Sequence, residues 1–403
     1  MGSYHNSSIR FNNWHMILFF CCSFTMTCLL WMVLAFLPIY LSKLGIQSKM
    51  AGFIIGAYSI GGLGFIIPFG MLADRVSPKK TLFLGIFFIL LHIVGIKNLT
   101  LPFWLAICAF VGGLGLSIFQ IVLFALFLKV IPEDKRGIRI SLYQMGFFLG
   151  FGFGPLIGAQ LHHCGDYQLV LSASLVVTAI LALFFSLLPD SPIYAFRWNE
   201  YRDDIVQPRA LLFLIIYFIY GMHFGVEQTG FSVLMKKELG FSTREIGIVY
   251  MAVGMWMAFL SPFTGHRFDV QGRITPLLIG GLLISSVFHI ATAYADNLVQ
   301  MIGARILHTL GDTPAIFSMG MLTALLFPQG RMGGNSAIVY SVRTLGIFVG
   351  NFVAGIIAAT EGYRGAFIYT GLFFVIASLA FWPFVHSLYA NVSVASSDGV
   401  IKK

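Results

Sequence analysis

Long apolar runs occupy most of the chain, and short polar stretches separate them. Six runs precede residue 190 and six follow residue 208, at 14–42, 48–73, 79–97, 102–130, 138–161, 167–189, 209–235, 243–265, 273–294, 298–327, 334–359 and 363–388. A helix of about 20 apolar residues crosses a bilayer, and the hydrocarbon core cannot hydrogen-bond free backbone groups. The pattern therefore predicts an all-α integral membrane protein with about twelve transmembrane helices, and it excludes a β-barrel.

A polar stretch at 190–208 divides this pattern into halves. It carries several charges and two prolines, so we expect a linker there, between a six-helix bundle at 1–189 and a second bundle at 209–403 with a short tail. The halves resemble each other in their G-x-x-x-D segments and glycine pairs, which are Gly70 to Asp74, Gly265 to Asp269, Gly146 with Gly150, and Gly346 with Gly350. Such internal repeats predict two pseudo-symmetric bundles.

Composition narrows the class of protein further. With 58% hydrophobic and only 10% charged residues, the chain has too little polar surface for a water-soluble fold. The net charge of +9 is spread through short loops, so we expect lipid headgroups and no nucleic acid as partners. Most basic residues lie on the side of the linker, which predicts that both termini are cytoplasmic. The five cysteines show no paired spacing, so neither a disulfide, a metal site nor a cofactor is expected.

The loop after the second run carries a recognisable motif. It follows the pattern G-x-x-x-D-[RK]-x-G-x-[RK]-[RK], with Ser77 in place of the second glycine, at Gly70, Asp74, Arg75, Lys79 and Lys80. On this motif the chain resembles the major facilitator superfamily over essentially its whole length. The resemblance implies two bundles that work by alternating access, with helices 1, 4, 7 and 10 lining a central cavity. Gly265 and Asp269 carry a degraded second copy.

The fifth run contains a glycine every fourth residue. Gly146, Gly150, Gly154, Pro155 and Gly158 resemble a motif of the proton-driven antiporters in this family. A physical alternative is a stripe that lets two helix backbones approach closely, and both interpretations hold at this point. The drug-exporting branch usually carries an arginine in helix 4, but this chain has no charged residue between Lys97 and Lys129. We therefore do not expect proton handling in the first half.

The Asp74 motif suggests a latch between the bundles. A carboxylate at this position suits the N-terminus of a neighbouring helix, where it would hold the cytoplasmic ends together in the outward-open state, while Arg75 and Lys79 would contact anionic lipid or opposing loops. The alternative is that these charges serve topology alone.

Charges inside apolar runs are the strongest functional candidates, because burying them in lipid is unfavourable. Glu227 and Asp312 each follow a histidine by four residues, His223 and His308, so each pair shares a helix face. Matching depths along the helices predict an outer pair of Glu227 with Arg305 and a mid-membrane pair of Asp312 with Arg343. We expect Asp312 to carry a coupling proton. Purely structural ion pairing is the alternative.

The other cavity candidates are neutral side chains of helices 1, 4 and 5, namely Thr25, Thr27, Ser117, Gln120, Tyr143 and Gln144. His92 and His289 lie in helices that the family places towards lipid, so we expect them to be packing residues. A wall that is neutral on one side and charged on the other suits an amphipathic or organic-ion substrate.

These features predict a monomeric, proton-coupled exporter of a small organic solute in the cell membrane, or the inner membrane of a bacterium. Proton-coupled uptake, facilitated movement of a lipid-like substrate, and a sensor or scaffold without transport are the alternatives. No catalytic or nucleotide-binding motif and no soluble domain accompany the helices, so we do not expect an enzyme.

Overall fold

The structure, a computed structural model, describes residues 11–46, 48–191, 193 and 197–389, and this part of the chain contains helices and no strand. The helices are α1 (Asn13–Leu34), α2 (Leu37–Lys43), α3 (Ser48–Arg75), α4 (Pro78–Asn98), α5 (Pro102–Val130), α6 (Arg136–Leu187), α7 (Trp198–Ile205), α8 (Pro208–Val233), α9 (Thr243–Gln271), α10 (Thr275–Thr292), α11 (Leu298–Leu326) and α12 (Met332–Tyr389). A π-helical turn at Leu234–Glu238 extends α8, and a 3-10 turn at Gln329–Arg331 precedes α12.

Two of these helices consist of two limbs each. Non-helical backbone at Gly165 and Asp166 divides α6 into limbs 136–164 and 167–187, and Gly362 divides α12 into limbs 332–361 and 363–389. With the limbs counted separately, the helices follow the predicted runs. The first run differs, because it ends at Leu34 and the short α2 follows. The all-helical prediction is confirmed.

Within the described residues, nine helices are long and apolar enough to cross a membrane when α6 and α12 count once each. Helix α11 is not among them, since Arg305, His308 and Asp312 interrupt its apolar sequence. It nevertheless packs inside the bundle against α9 and α10, so its polar residues lie among other helices.

The glycine stripe of α6 packs directly against the backbone of α1. A Cβ atom built on Gly146, Gly150, Gly154 or Gly158 would lie 2.5 to 2.8 Å from a backbone carbonyl oxygen of α1. The corresponding glycines of the second half, Gly346 and Gly350 in α12, meet carbonyls of α8 in the same way. The close-packing interpretation is therefore confirmed, and it applies inside each half. The antiporter interpretation of the motif stays a prediction.

We expect Gly150→Ala to lower the thermal stability of the detergent-solubilised protein. The added methyl group would meet the Phe24 carbonyl oxygen at 2.5 Å, so α1 and α6 must separate, at about 1 to 3 kcal/mol. Gly56→Ala in α3 is the matched control, because the space beside Gly56 is open. Equal melting midpoints for the two variants would contradict the packing argument.

The halves meet closely at one end of the bundle, which we call the linker face. This end carries α7, the α3–α4 connection at 76–77 and the α5–α6 connection at 131–135. There Gly70 of α3 lies against Gly333 and Ala337 of α12, and Gly265 of α9 lies against Gly137 and Ser141 of α6. The halves also touch farther from this face, where Gly254 of α9 lies against Gly152 of α6. The bundle is thus closed at its linker face.

Candidate functional site

A cluster of ionisable side chains lies inside the second half. Three helices contribute to it: α8 supplies one histidine and one acid, α10 one serine and one histidine, and α11 one arginine, one histidine and one acid. Every member is buried, and they are His223, Glu227, Ser285, His289, Arg305, His308 and Asp312. We call this set the buried ion cluster.

The outer pair of the cluster forms as predicted. Arg305 Nη1 donates a hydrogen bond of 2.5 Å to Glu227 Oε1, and the guanidinium also lies 4.4 Å from the centroid of the Phe231 ring. A buried guanidinium needs such a counter-charge, since removing one partner of a buried pair leaves an uncompensated ion.

The predicted pair of Asp312 with Arg343 is wrong. Asp312 instead accepts a hydrogen bond of 2.7 Å from Ser285 Oγ and lies 3.0 Å from His308 Nε2. Arg343 lies against aromatic rings in α8 and α12. Depth along a helix does not specify which way a side chain points, and Asp312 points towards α10.

His308 stands between the two acids of the cluster. Its Nδ1 lies 2.8 Å from the Ser285 carbonyl oxygen, which only accepts hydrogen bonds, so Nδ1 carries a proton. Its Nε2 lies 2.8 Å from Glu227 Oε1 and 3.0 Å from Asp312 Oδ2. A proton on Nε2 would thus be shared by two carboxylates.

The expectation for His289 is wrong, because this residue belongs to the cluster and does not face lipid. It is fully buried, with Nδ1 at 3.4 Å from Glu227 Oε1 and Nε2 at 3.2 Å from Thr370 Oγ1. Ser285, four residues earlier on the same helix face, is the sequence signal that could have indicated it. His92 is also buried, inside the first half, where its Nδ1 lies 2.8 Å from the Cys108 carbonyl oxygen.

Four side chains of the cluster approach the geometry of a metal site. One ligand atom each from His223, Glu227, His289 and His308 lie within 4.8 Å of one another. The hydrogen bonds argue against an ion, however. Ser285 Oγ gives its only proton to Asp312 and must accept one from His223 Nε2, and Arg305 already occupies Glu227 Oε1. The donor set does not fit a metal ion in this arrangement.

The predicted latch residue Asp74 lies at the N-terminus of α12. It is fully buried and accepts hydrogen bonds from the backbone N–H groups of Gly333, at 2.9 Å, and Gly334, at 2.7 Å. Lys129 Nζ lies 2.5 Å from the same carboxylate, and the Tyr201 hydroxyl donates to it at 3.0 Å. We call these contacts the Asp74 latch. It joins the two halves at the linker face.

Asp269 forms the symmetry-related contact. Its two carboxylate oxygens accept hydrogen bonds of 2.7 and 2.8 Å from the backbone N–H groups of Gly137 and Ile138, at the start of α6. The carboxylate favours this position because the N-terminus of a helix carries partial positive charge. We call this contact the Asp269 latch. The prediction of a carboxylate at a neighbouring helix terminus is confirmed for Asp74, and Asp269 repeats it.

Two other residues of the motif form contacts within the first half. Lys79 Nζ donates to the Ser186 carbonyl oxygen at 2.8 Å, within the first half. Ser77, which replaces a motif glycine, accepts from the backbone N–H of Lys80 at 3.4 Å and also bonds Asp190. Arg75 is exposed at the end of α3.

Comparison with known proteins decides the family. The model of the Major Facilitator Superfamily matches residues 19–197 and 213–397. The chain belongs to the major facilitator superfamily. It is 24% identical over 369 residues to a Lactococcus lactis protein described as a multi-drug resistance efflux pump PmrA homolog, covering 88% of this chain and 90% of that protein.

A second sequence relative and a solved structure also resemble the chain. The multi-drug resistance efflux pump PmrA of Streptococcus pneumoniae is 23% identical over 355 residues, covering 85% of this chain and 88% of the pump. Among solved structures, the human organic anion transporter MFSD10 (TETRAN) superposes with a TM-score of 0.77 at 16% identity, over 90% of this chain and 98% of that one. The major facilitator fold that the motif implied is confirmed.

The neutral cavity candidates of this major facilitator chain do not form one site. Gln144 Nε2 donates to the Ile316 carbonyl oxygen in the other half at 3.2 Å. Thr27 is buried where α1 meets Gly150, and the Ser117 hydroxyl bonds a carbonyl of its own helix. Tyr143 stacks on Phe127 at 4.8 Å between centroids. Thr25 is buried in α1, and Gln120 is half-buried in α5.

Sequence reasoning missed the role of α7, which lies in the linker. Arg331 bonds Asp204 at 2.7 Å through two nitrogens and Glu200 at 3.1 Å, and Asn335 donates to Asp204 at 2.8 Å. Burial raises the pKa of Tyr201 well above its ordinary value, so its hydroxyl stays protonated and donates to Asp74. The linker therefore completes the Asp74 latch. Its charges alone look like those of a solvated loop.

Proposed function

We propose that the protein exports a small organic or amphipathic solute in exchange for protons, by alternating access of its two halves. Membership in the major facilitator superfamily and the relatives described as multidrug efflux pumps support transport and its direction. The observation that supports proton coupling is the buried ion cluster, in which His308 Nε2 lies within hydrogen-bond distance of both Glu227 and Asp312.

Charge balance gives this cluster a specific task. With neutral histidines, two carboxylates against the guanidinium of Arg305 leave one net negative charge among helices, where charge is unfavourable. One proton on His308 Nε2 makes the cluster neutral, and this nitrogen lies within 3.0 Å of a carboxylate oxygen of each acid. A single proton therefore suffices, and we place it on His308, with Asp312 and Glu227 as its acceptors. This revises the expectation that Asp312 itself carries the proton.

The two latches give a physical basis for the conformational change in the transport cycle. In the structure they hold the linker face closed, so a solute would enter or leave at the opposite face. Opening the linker face requires both carboxylates to leave the helix N-termini that they cap. We propose that loss or gain of the proton in the cluster shifts the balance between these two states.

The test is transport by the purified protein in liposomes. A pH gradient is imposed, and counterflow of a panel of labelled organic ions is measured together with proton flux. We expect solute to move against the flow of protons. Movement in the same direction would replace export by uptake symport. Binding of a panel member without flux in either direction would indicate a sensor.

The orientation in the membrane is a separate prediction. In a Cys164→Ser background, which removes the exposed cysteine of α6, we expect a cysteine at Asn199 of α7 to react with an impermeant maleimide only from the cytoplasm. Asn98→Cys, at the exposed opposite end of α4, should react only from outside. The reverse pattern would invert the assignment, because it would place the basic loops outside.

A further inference from the structure

Arg343 lies within the first limb of α12, and it differs from Arg305, the arginine of the buried ion cluster. Its guanidinium lies 4.8 Å from the centroid of the Phe224 ring and 5.4 Å from that of Tyr340. Arg305 has a carboxylate partner, whereas no carboxylate of the described residues forms an ion pair with Arg343. Arg343 is only half-buried, while Arg305 is buried. Arg343 therefore has no acidic partner in this part of the chain, and its side chain is partly accessible.

The charge of Arg343 is not balanced by the buried ion cluster. When His308 holds a proton, Glu227 and Asp312 are balanced by Arg305 and His308. The side chains that contact Arg343 are the rings of Phe224 and Tyr340, and neither of them carries a carboxylate. One positive charge therefore remains in the middle of the bundle, where an anion would stabilise it.

Arg343 also stands where the two halves meet. Tyr340, whose ring it contacts, packs against a small apolar cluster that spans both halves and is formed by Ile66 of α3, Ile121 of α5 and Ala337 of α12. Gln120, next to Ile121, is half-buried, and its amide forms no hydrogen bond in the described part of the chain. A solute that is released alternately to the two sides must bind between the halves at such a depth.

We propose that Arg343 binds an anionic group of the transported solute, a carboxylate, sulfonate or phosphate, while the rings of Phe224 and Tyr340 contact an aromatic or apolar part of the same molecule. This inference rests on the proposed transport function and names its substrate class. A guanidinium held against aromatic rings presents its free N–H groups to a planar acid, which it binds through two hydrogen bonds.

The experiment measures binding to the purified full-length protein in detergent by equilibrium dialysis, so it needs no pH gradient. The probes are two xanthene dyes of similar size, the anion carboxyfluorescein and the cation tetramethylrhodamine methyl ester. We expect Arg343→Gln to weaken binding of carboxyfluorescein by about 10-fold or more, and to leave binding of the cation unchanged or stronger. Arg267→Gln, which removes an exposed arginine of α9, should change neither.

Arg343→Lys keeps the proposal testable if Arg343→Gln fails to fold, which size-exclusion chromatography and thermal melting would reveal. Lysine retains the charge but not the planar fork, so preference for the anion should persist with weaker affinity. Equal losses for both dyes would overturn the proposal, as would wild-type protein that binds no carboxyfluorescein. Neither of these results would contradict proton-coupled transport of cations. Conversely, if the liposomes show no pH-driven transport, the dialysis experiment still tests whether Arg343 binds an anion.

Discussion

Replacing His308 with glutamine should abolish solute accumulation driven by a pH gradient while solute exchange across the membrane continues. Glutamine can donate to the Ser285 carbonyl oxygen, as His308 Nδ1 does at 2.8 Å, but it cannot take up a proton. The cluster would then keep one net negative charge at any pH at which both carboxylates are ionised. We expect gradient-driven accumulation to fall by about 100-fold, the range seen when a proton-transferring side chain is removed, with counterflow reduced far less.

The measurement is proton flux and solute flux in the same liposomes. His92→Gln is the matched control, because His92 is also a buried histidine whose Nδ1 lies 2.8 Å from a backbone carbonyl oxygen, but it lies in the first half, whereas every residue of the buried ion cluster lies in the second. If His308→Gln still couples protons to solute with unchanged stoichiometry, the proton resides elsewhere. Asp312→Asn then shows which of the two acids carries the proton. If that variant still couples protons to solute, Glu227 is the carrier.

Asp74→Asn should slow transport by about 10-fold or more while solute affinity in detergent stays close to wild type. Asparagine has nearly the size of aspartate but no charge, so Lys129, now 2.5 Å from the carboxylate, would be left buried without its counter-ion. Breaking a buried pair in this way costs about 3 to 5 kcal/mol. The closed linker face would therefore be less populated, and the rate of exchange between the two states would change.

Asp203→Asn is the control for this variant, because Asp203 lies on α7 beside the latch but is exposed, and the ion pair that it forms within the described residues is with its neighbour Arg202 at 3.4 Å. Asp269→Asn should have a smaller effect than Asp74→Asn, since backbone N–H groups are the partners that Asp269 has in the described structure. Wild-type turnover in Asp74→Asn would mean that the motif serves topology alone.

The hydrophobic pattern was enough to predict the helices. An apolar run of this length must pair all its backbone groups within the membrane, and a helix does so within a single segment. The pattern placed Glu227 and Arg305 at one depth, and they do pair. It failed for Asp312 and Arg343, since depth says nothing about the direction of a side chain around its helix. The family resemblance gave a wrong expectation for His289. A helix that faces lipid on one side still has an inner face, and His289 lies on that face together with Ser285, four residues earlier.

The linker shows another limit of sequence reasoning. Glu200, Tyr201 and Asp204 look like solvated residues of a polar stretch, and nothing local indicates that they contact Arg331 and Asp74. Those contacts exist only because the two halves close on each other and bring α12 to α7. Long-range contacts of this kind depend on the conformational state, which the order of residues does not encode directly.

The two latches have the form of an isologous interface. Asp74 of the first half caps a helix of the second, and Asp269 of the second caps the corresponding helix of the first. In a two-fold symmetric dimer each copy likewise gives and receives the same contact. A six-helix chain with one such carboxylate and one such helix start could therefore close on a second copy of itself. The present chain keeps that self-complementary geometry within one polypeptide.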